Sequence, residues 1–146
     1  YLDILKIYSD DNIKIQAFGS TDIGGSFLIE CEGKKIFHAG DLNNWHWDEE
    51  STDEEILEAE DNYLNQVTLL SEHVSHLDLV MFPVDIRLGK NYMLGAKQFI
   101  DTIKTDNFAP MHFSKNYDSA NAFDSYAKQK GVHFFQIREK GDSFDF

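Results

Sequence analysis

Lys35-Ile36-Phe37-His38-Ala39-Gly40-Asp41-Leu42-Asn43 is the stretch on which the fold turns. A short apolar run suited to a buried strand ends in a glycine, and the residue after it is an acid. Gly40 lets the backbone turn so that Asp41 projects from a sheet edge, which is where open α/β sheets keep their ligands. A carboxylate in that place is either a hydrogen-bonded turn former or a metal ligand. The rest of the chain has to separate the two.

Toward the N-terminus, Glu32-Gly33-Lys34 closes a hairpin between this strand and Phe27 to Cys31. Before the hairpin, Gly19-Ser20-Thr21-Asp22-Ile23-Gly24-Gly25-Ser26 reads as a loop whose three glycines permit unusual backbone angles or close approach to a bound group. Its acid, Asp22, is a second candidate for chemistry, and the hairpin would carry it to the same sheet edge as Asp41. Ile13 to Phe18 alternates Ile13, Ile15 and Ala17 against Lys14 and Gln16, a half-buried strand, with a further strand at Ile4 to Tyr8 across the turn Ser9-Asp10-Asp11-Asn12.

Toward the C-terminus, Asn43-Asn44-Trp45-His46-Trp47 is polar and aromatic together, which suits a loop over a pocket and equally one packed on its own helix. Ser51 or Thr52 caps a helix running to about Val74, with Glu54 and Glu55 at its positive end and Ile56, Leu57, Leu64, Val67, Leu70 and Val74 at helical spacing. His73 and His76, without supporting acids in the same turn, read as surface histidines. Leu77 to Phe82, bounded by Pro83, has the pattern of a central parallel strand after a crossover helix. In the loop from Val84 to Tyr92, Asp85 and Arg87 either pair or face a site. A helix from about Met93 to Lys104 places Ala96, Phe99, Ile100 and Ile103 on one stripe, and a short strand from Phe108 to Met111 ends at His112. Asp118 or Ser119 starts a last helix to about Lys130, and Val132 to Ile137 and Ser143 to Phe146 read as closing strands around Lys140-Gly141-Asp142. The sum is an α/β domain with a mixed sheet flanked by helices, spanning 1–146 without repeat or linker.

Composition narrows the function. A chain of 146 residues with 42% hydrophobic content is long enough for one core, and its net charge of -13 argues against a nucleic-acid or acidic-membrane partner. Cys31 is alone, so no intrachain disulfide or multi-cysteine zinc site can form, which suits a reducing, cytoplasmic setting. No apolar run approaches the roughly 20 residues of a membrane-spanning helix, and no signal peptide opens the chain. It begins at Tyr1 rather than Met, the expectation being a piece of a longer protein.

Phe37-His38-Ala39-Gly40-Asp41, Leu77-Asp78-Leu79-Val80-Met81-Phe82-Pro83, the helix near Ala96 and Ala109-Pro110-Met111-His112-Phe113, in that order and spacing, resemble the C-terminal half of a metallo-β-lactamase-fold hydrolase. The branch they look most like is that of the ascorbate-6-phosphate lactonase-like proteins. The resemblance implies half of an αββα sandwich and a site holding one or two ions, commonly Zn2+, with Mn2+ or Fe2+ as alternatives. It matches Asp41 to the family's later metal-binding aspartate, which bridges both ions in dinuclear members, and His112 to its final metal-binding histidine. Asp22 stands where the family has a histidine, so a third ligand there would be an oxygen. Asp85, Trp45, His46 and Trp47 are the loop residues expected near a small-molecule substrate.

The implied reaction is attack of a metal-bound hydroxide on an ester, lactone or phosphodiester. The family's N-terminal His-x-His-x-Asp-His motif is nowhere in these residues, so the chain alone is expected to bind metal weakly and to be silent in catalysis. The missing motif and the Asp22 departure also leave open a binding or assembly module without turnover. Lacking a partner layer, the chain is expected to self-associate as a homo-oligomer through an uncovered apolar face.

Overall fold

The computed structural model describes residues 3–47 and 50–146. Four strands come first, β1 (Ile7–Ser9), β2 (Ile13–Phe18), β3 (Ser26–Cys31) and β4 (Lys34–His38), each antiparallel to the one before. Glu32 and Gly33, both at positive φ (51° and 78°), make the two-residue turn between β3 and β4. The chain then alternates: α1 (Asp53–His73), β5 (His76–Pro83), α2 (Leu94–Thr102), β6 (Lys104–Met111), α3 (Tyr117–Asn121), α4 (Asp124–Gln129) and β7 (His133–Phe134). The seven strands lie in sequence order in one mixed sheet, and β4, β5, β6 and β7 are mutually parallel neighbours. Right-handed crossovers that always step the same way put every helix on the same face of the sheet.

That face holds the core. Leu28, Phe37, Val80, Phe108 and Phe134 pair in register across five strands, all nearly inaccessible, and Tyr63, Val67 and Leu70 of α1 and Ala96, Phe99 and Ile100 of α2 close over them. The alternate residues face the other way. Ile15, Ile29, Ile36 and Leu79 form a second register row, and Ala17, Phe27, His38, Met81 and Ala109 a third. No helix covers these rows among the described residues. The C-terminal segment turns at Arg138 to Asp142, where the Asp142 carboxylate accepts from the Arg138 and Glu139 amides. Phe144 then lies flat on Phe135 (4.6 Å between ring centroids), and the Lys34 ammonium stands 5.7 Å from the Phe146 ring.

Several elements depart from expectation for local reasons. Leu57 is 61% exposed rather than on the buried stripe of α1. At 100° per residue it points roughly 80° or more away from Tyr63, Val67 and Leu70. Leu5 adopts φ 62°, which interrupts the pleat, so β1 begins at Ile7 and not at Ile4. The single helix expected from Asp118 or Ser119 is two short ones, broken where Phe123 is drawn between Phe108 and Phe134. Of the closing strands only His133–Phe134 pairs with the sheet.

Candidate metal centre

Parallel pairing brings the C-terminal ends of β4, β5 and β6 to one edge, and three polar residues stand just beyond those ends: Asp41, Asp85 and His112. Their spacing is set by the ladder. Pro83 pairs with Met111, the Val84 amide donates to the Met111 carbonyl at 3.0 Å, and the Ala39 amide donates to the Met81 carbonyl at 2.9 Å. Gly40 carries the turn that releases Asp41. Its φ is 58°, and a Cβ there would stand 2.4 Å from the Gly25 carbonyl oxygen, so the glycine loop and the Asp41 turn touch backbone to backbone. Thr21 pins the two loops further, its hydroxyl donating to the Asn43 carbonyl and accepting from the Asn43 amide.

His112 is the pivot. Its backbone sits in the left-handed region (φ 64°), costly for a residue with a Cβ and the kind of strain that collects at functional sites. The ring lies between two carboxylates. Nδ1 is 2.8 Å from Asp85 Oδ2, and Nε2 is 3.4 Å from Asp41 Oδ1. Trp45 walls one side, its ring centroid 5.4 Å from that of His112, and the indole N–H donates to the Asp41 carbonyl at 2.6 Å.

Asp85 is 1% exposed, yet it is charged because its partners are close. The Arg87 amide and guanidinium Nε donate to it at 2.9–3.0 Å, and Nη2 makes a further ion pair. Burial alone pushes the carboxyl up, but the bonds from Arg87 and His112 outweigh it and hold Asp85 below the ordinary carboxylate range.

The sequence candidates are thus divided. Asp41 and His112 meet, and Asp85 adjoins them as a buried partner of Arg87 and His112 rather than as a surface facing substrate. Trp45 borders the pair on one side and, on another, a cleft of about 270 Å³ lined also by Glu55, Glu58 and Asn62. Trp47 is 46% exposed and nearly parallel to Trp45. His46 is 5% exposed, with Nδ1 3.0 Å from Asn44 Oδ1, and so is held within the loop. Asp22 is exposed, and no group of three His, Cys, Asp or Glu side chains able to hold an ion forms among the described residues. His38 accepts from the Gly40 amide at 3.0 Å, and His73 and His76 turn to the Leu69 carbonyl and to Asp106 respectively. A cavity of about 480 Å³, lined by Lys128, His133 and Phe144 among others, includes none of the site residues.

Two of these donors, Asp41 and His112, are spaced as a pair of ligands to a small divalent cation would be, with no third beside them among the described residues. Asp85 is acceptor-only, so the short bond to Nδ1 needs the proton on that nitrogen and leaves Nε2 with a bare lone pair. That lone pair and Asp41 Oδ1 face one another with no proton between them in the neutral ring. Two ligands each at about 2.0–2.1 Å from one ion, at a tetrahedral angle, stand about 3.4 Å apart, the separation found here.

No protein-family model and no curated protein matches the chain. Solved structures do. CmlA, a diiron β-hydroxylase from Streptomyces venezuelae, superposes with a TM-score of 0.65 at 13% identity over 93% of this chain and 32% of its own. A provisionally named metal-dependent hydrolase from Parabacteroides distasonis gives 0.57 at 14% identity, over 92% and 55%. A provisionally named zinc-dependent hydrolase of the metallo-β-lactamase superfamily from Thermotoga maritima gives 0.51 at 24% identity, over 88% and 57%. The chain spans between a third and just over half the length of these proteins, and at such identities the likeness speaks for the fold alone. What this sequence builds is therefore part of a metallo-β-lactamase-like fold, a mixed seven-stranded sheet with its helices.

Proposed function

We propose that the chain supplies Asp41 and His112 as ligands to the metal centre of a hydrolase acting on an ester, lactone or phosphodiester, in the branch of the ascorbate-6-phosphate lactonase-like proteins. The observation that carries the reading is the 3.4 Å approach of His112 Nε2 to Asp41 Oδ1, with Nδ1 already committed to Asp85. A bound Zn2+, Mn2+ or Fe2+ ion would supply a water of pKa about 7 and polarise the bond under attack. Within this chain Asp41 and His112 hold and orient, and Trp45 excludes water from one side of the His112 ring. The remaining ligands would come from the His-x-His-x-Asp-His half of a longer protein, and the sheet face without helices is where that half, or a second copy of this chain, would pack.

Isothermal titration with Zn2+ checks the reading. Weak binding of one ion per chain, abolished in Asp41→Asn and in His112→Ala, is the expected result. Equal binding by the parent chain and both variants, or none by any of them, overturns it. A second reading, a non-catalytic binding or assembly module, is favoured by one observation: two candidate ligands meet, and not three, among the described residues. On that reading zinc is not retained and Asp41→Asn changes nothing measurable.

A further inference from the structure

We propose that Asp85 is a positioning residue, a buried carboxylate that fixes the tautomer and the ring direction of His112 so that Nε2 is the atom offered beside Asp41. The inference rests on the metal-centre reading for its purpose, though not for its test.

Four observations converge. The Asp85 side chain is 2% exposed, so it does not compete for water or reach a substrate. Its oxygens are fully engaged by the Arg87 amide, the Arg87 guanidinium and His112 Nδ1. Its place is set by the sheet rather than by a mobile loop, because Val84 is bonded to Met111 immediately beside both residues. It also caps the 3-10 turn Ile86–Asn91, which holds Arg87 in reach.

A rival for Nδ1 exists and loses on distance. Arg87 Nη2 lies 3.3 Å from the same nitrogen, and a donor there would demand the opposite tautomer, with the proton on Nε2. The Asp85 contact is shorter by half an ångström, and Nη2 already donates to the Asp85 carboxylate. Arg87 therefore keeps Asp85 ionised, as an acceptor only. With Trp45 against one side of His112, neither flipping nor tilting the ring is free. Such outer partners of a metal-binding histidine typically alter metal affinity about 10- to 100-fold when removed.

Long-range proton–nitrogen NMR on the metal-free chain, at a pH where the ring is neutral, reads the tautomer directly. In the parent chain His112 is expected almost wholly in the Nδ1–H form. Asp85→Ala should move it largely to the Nε2–H form, and Asp85→Asn, close in shape and safe for folding, should give a mixture because Arg87 competes for its single oxygen. Zinc affinity measured on the same samples should fall about 10- to 100-fold in Asp85→Ala and less in Asp85→Asn. An Nε2–H ring in the parent chain, or a tautomer unmoved in both variants with the fold intact by amide fingerprint, overturns the inference. A tautomer that shifts as expected in chains that bind no zinc upholds the positioning role and overturns the metal-centre reading instead.

Discussion

Asp85 shows how one side chain's role depends on what the fold places over it. From the sequence, an acid two residues after a strand-ending proline and two before an arginine could pair or could face a ligand, and nothing local chooses. Burial chooses. Asp41 and His112 were legible because each follows an apolar run, and a strand's end is readable from composition alone. The depth of Asp85 was not, because it depends on the register of β5 against β6, a non-local quantity. A pH consequence belongs here. The folded pKa of Asp85 lies below its unfolded value of about 3.9, so the stability it contributes is present above that pH and is lost as pH falls through the folded value. Chemical denaturation between about pH 5 and pH 2 should show the parent chain losing stability more steeply than Asp85→Asn. Parallel acid limbs would count against a paired, ionised Asp85.

Helix α1 was legible at both ends because capping is a local code. Thr52 accepts from the Glu55 amide at 3.3 Å, the Glu55 carboxylate accepts from the Thr52 amide at 2.8 Å, and Val74 closes the far end. Thr52→Ala removes one half of that reciprocal pair and should cost about 1 kcal/mol, seen as a fall of about 3 °C in the thermal midpoint by circular dichroism. No change would mean that core contacts from Tyr63, Val67 and Leu70 alone fix the helix start. The strand β6 was only half legible. Phe108 to Met111 announces itself, but Lys104 and Asp106 are exposed residues on a strand whose pairing with β5 begins at His76 and Lys104. The break between α3 and α4 has no glycine or proline to mark it. It follows from the packing of Phe123, a tertiary demand that overrides helical propensity.

For the molecule as a whole, the sheet separates two unlike faces. One is sealed by the helices, and the other carries half-buried Ile15, Ile29 and Ile36 in a row with the buried Leu79, with no helix over them among the described residues. Apolar surface of this kind favours association. Light scattering on the chain should show dimers or larger species that grow with concentration, and Ile29→Lys, on the face without helices, should shift the population toward monomer. A parent chain that stays monomeric at high concentration removes the expectation. The order of the strands has one more consequence, and it concerns time. Asp41, Asp85 and His112 belong to three successive parallel strands, each separated from the next by a helical crossover, so no local segment contains any two of them. A growing polypeptide cannot bring this trio together until the last of the three strands has emerged and docked. The three side chains therefore meet only when the scaffold beneath them is complete.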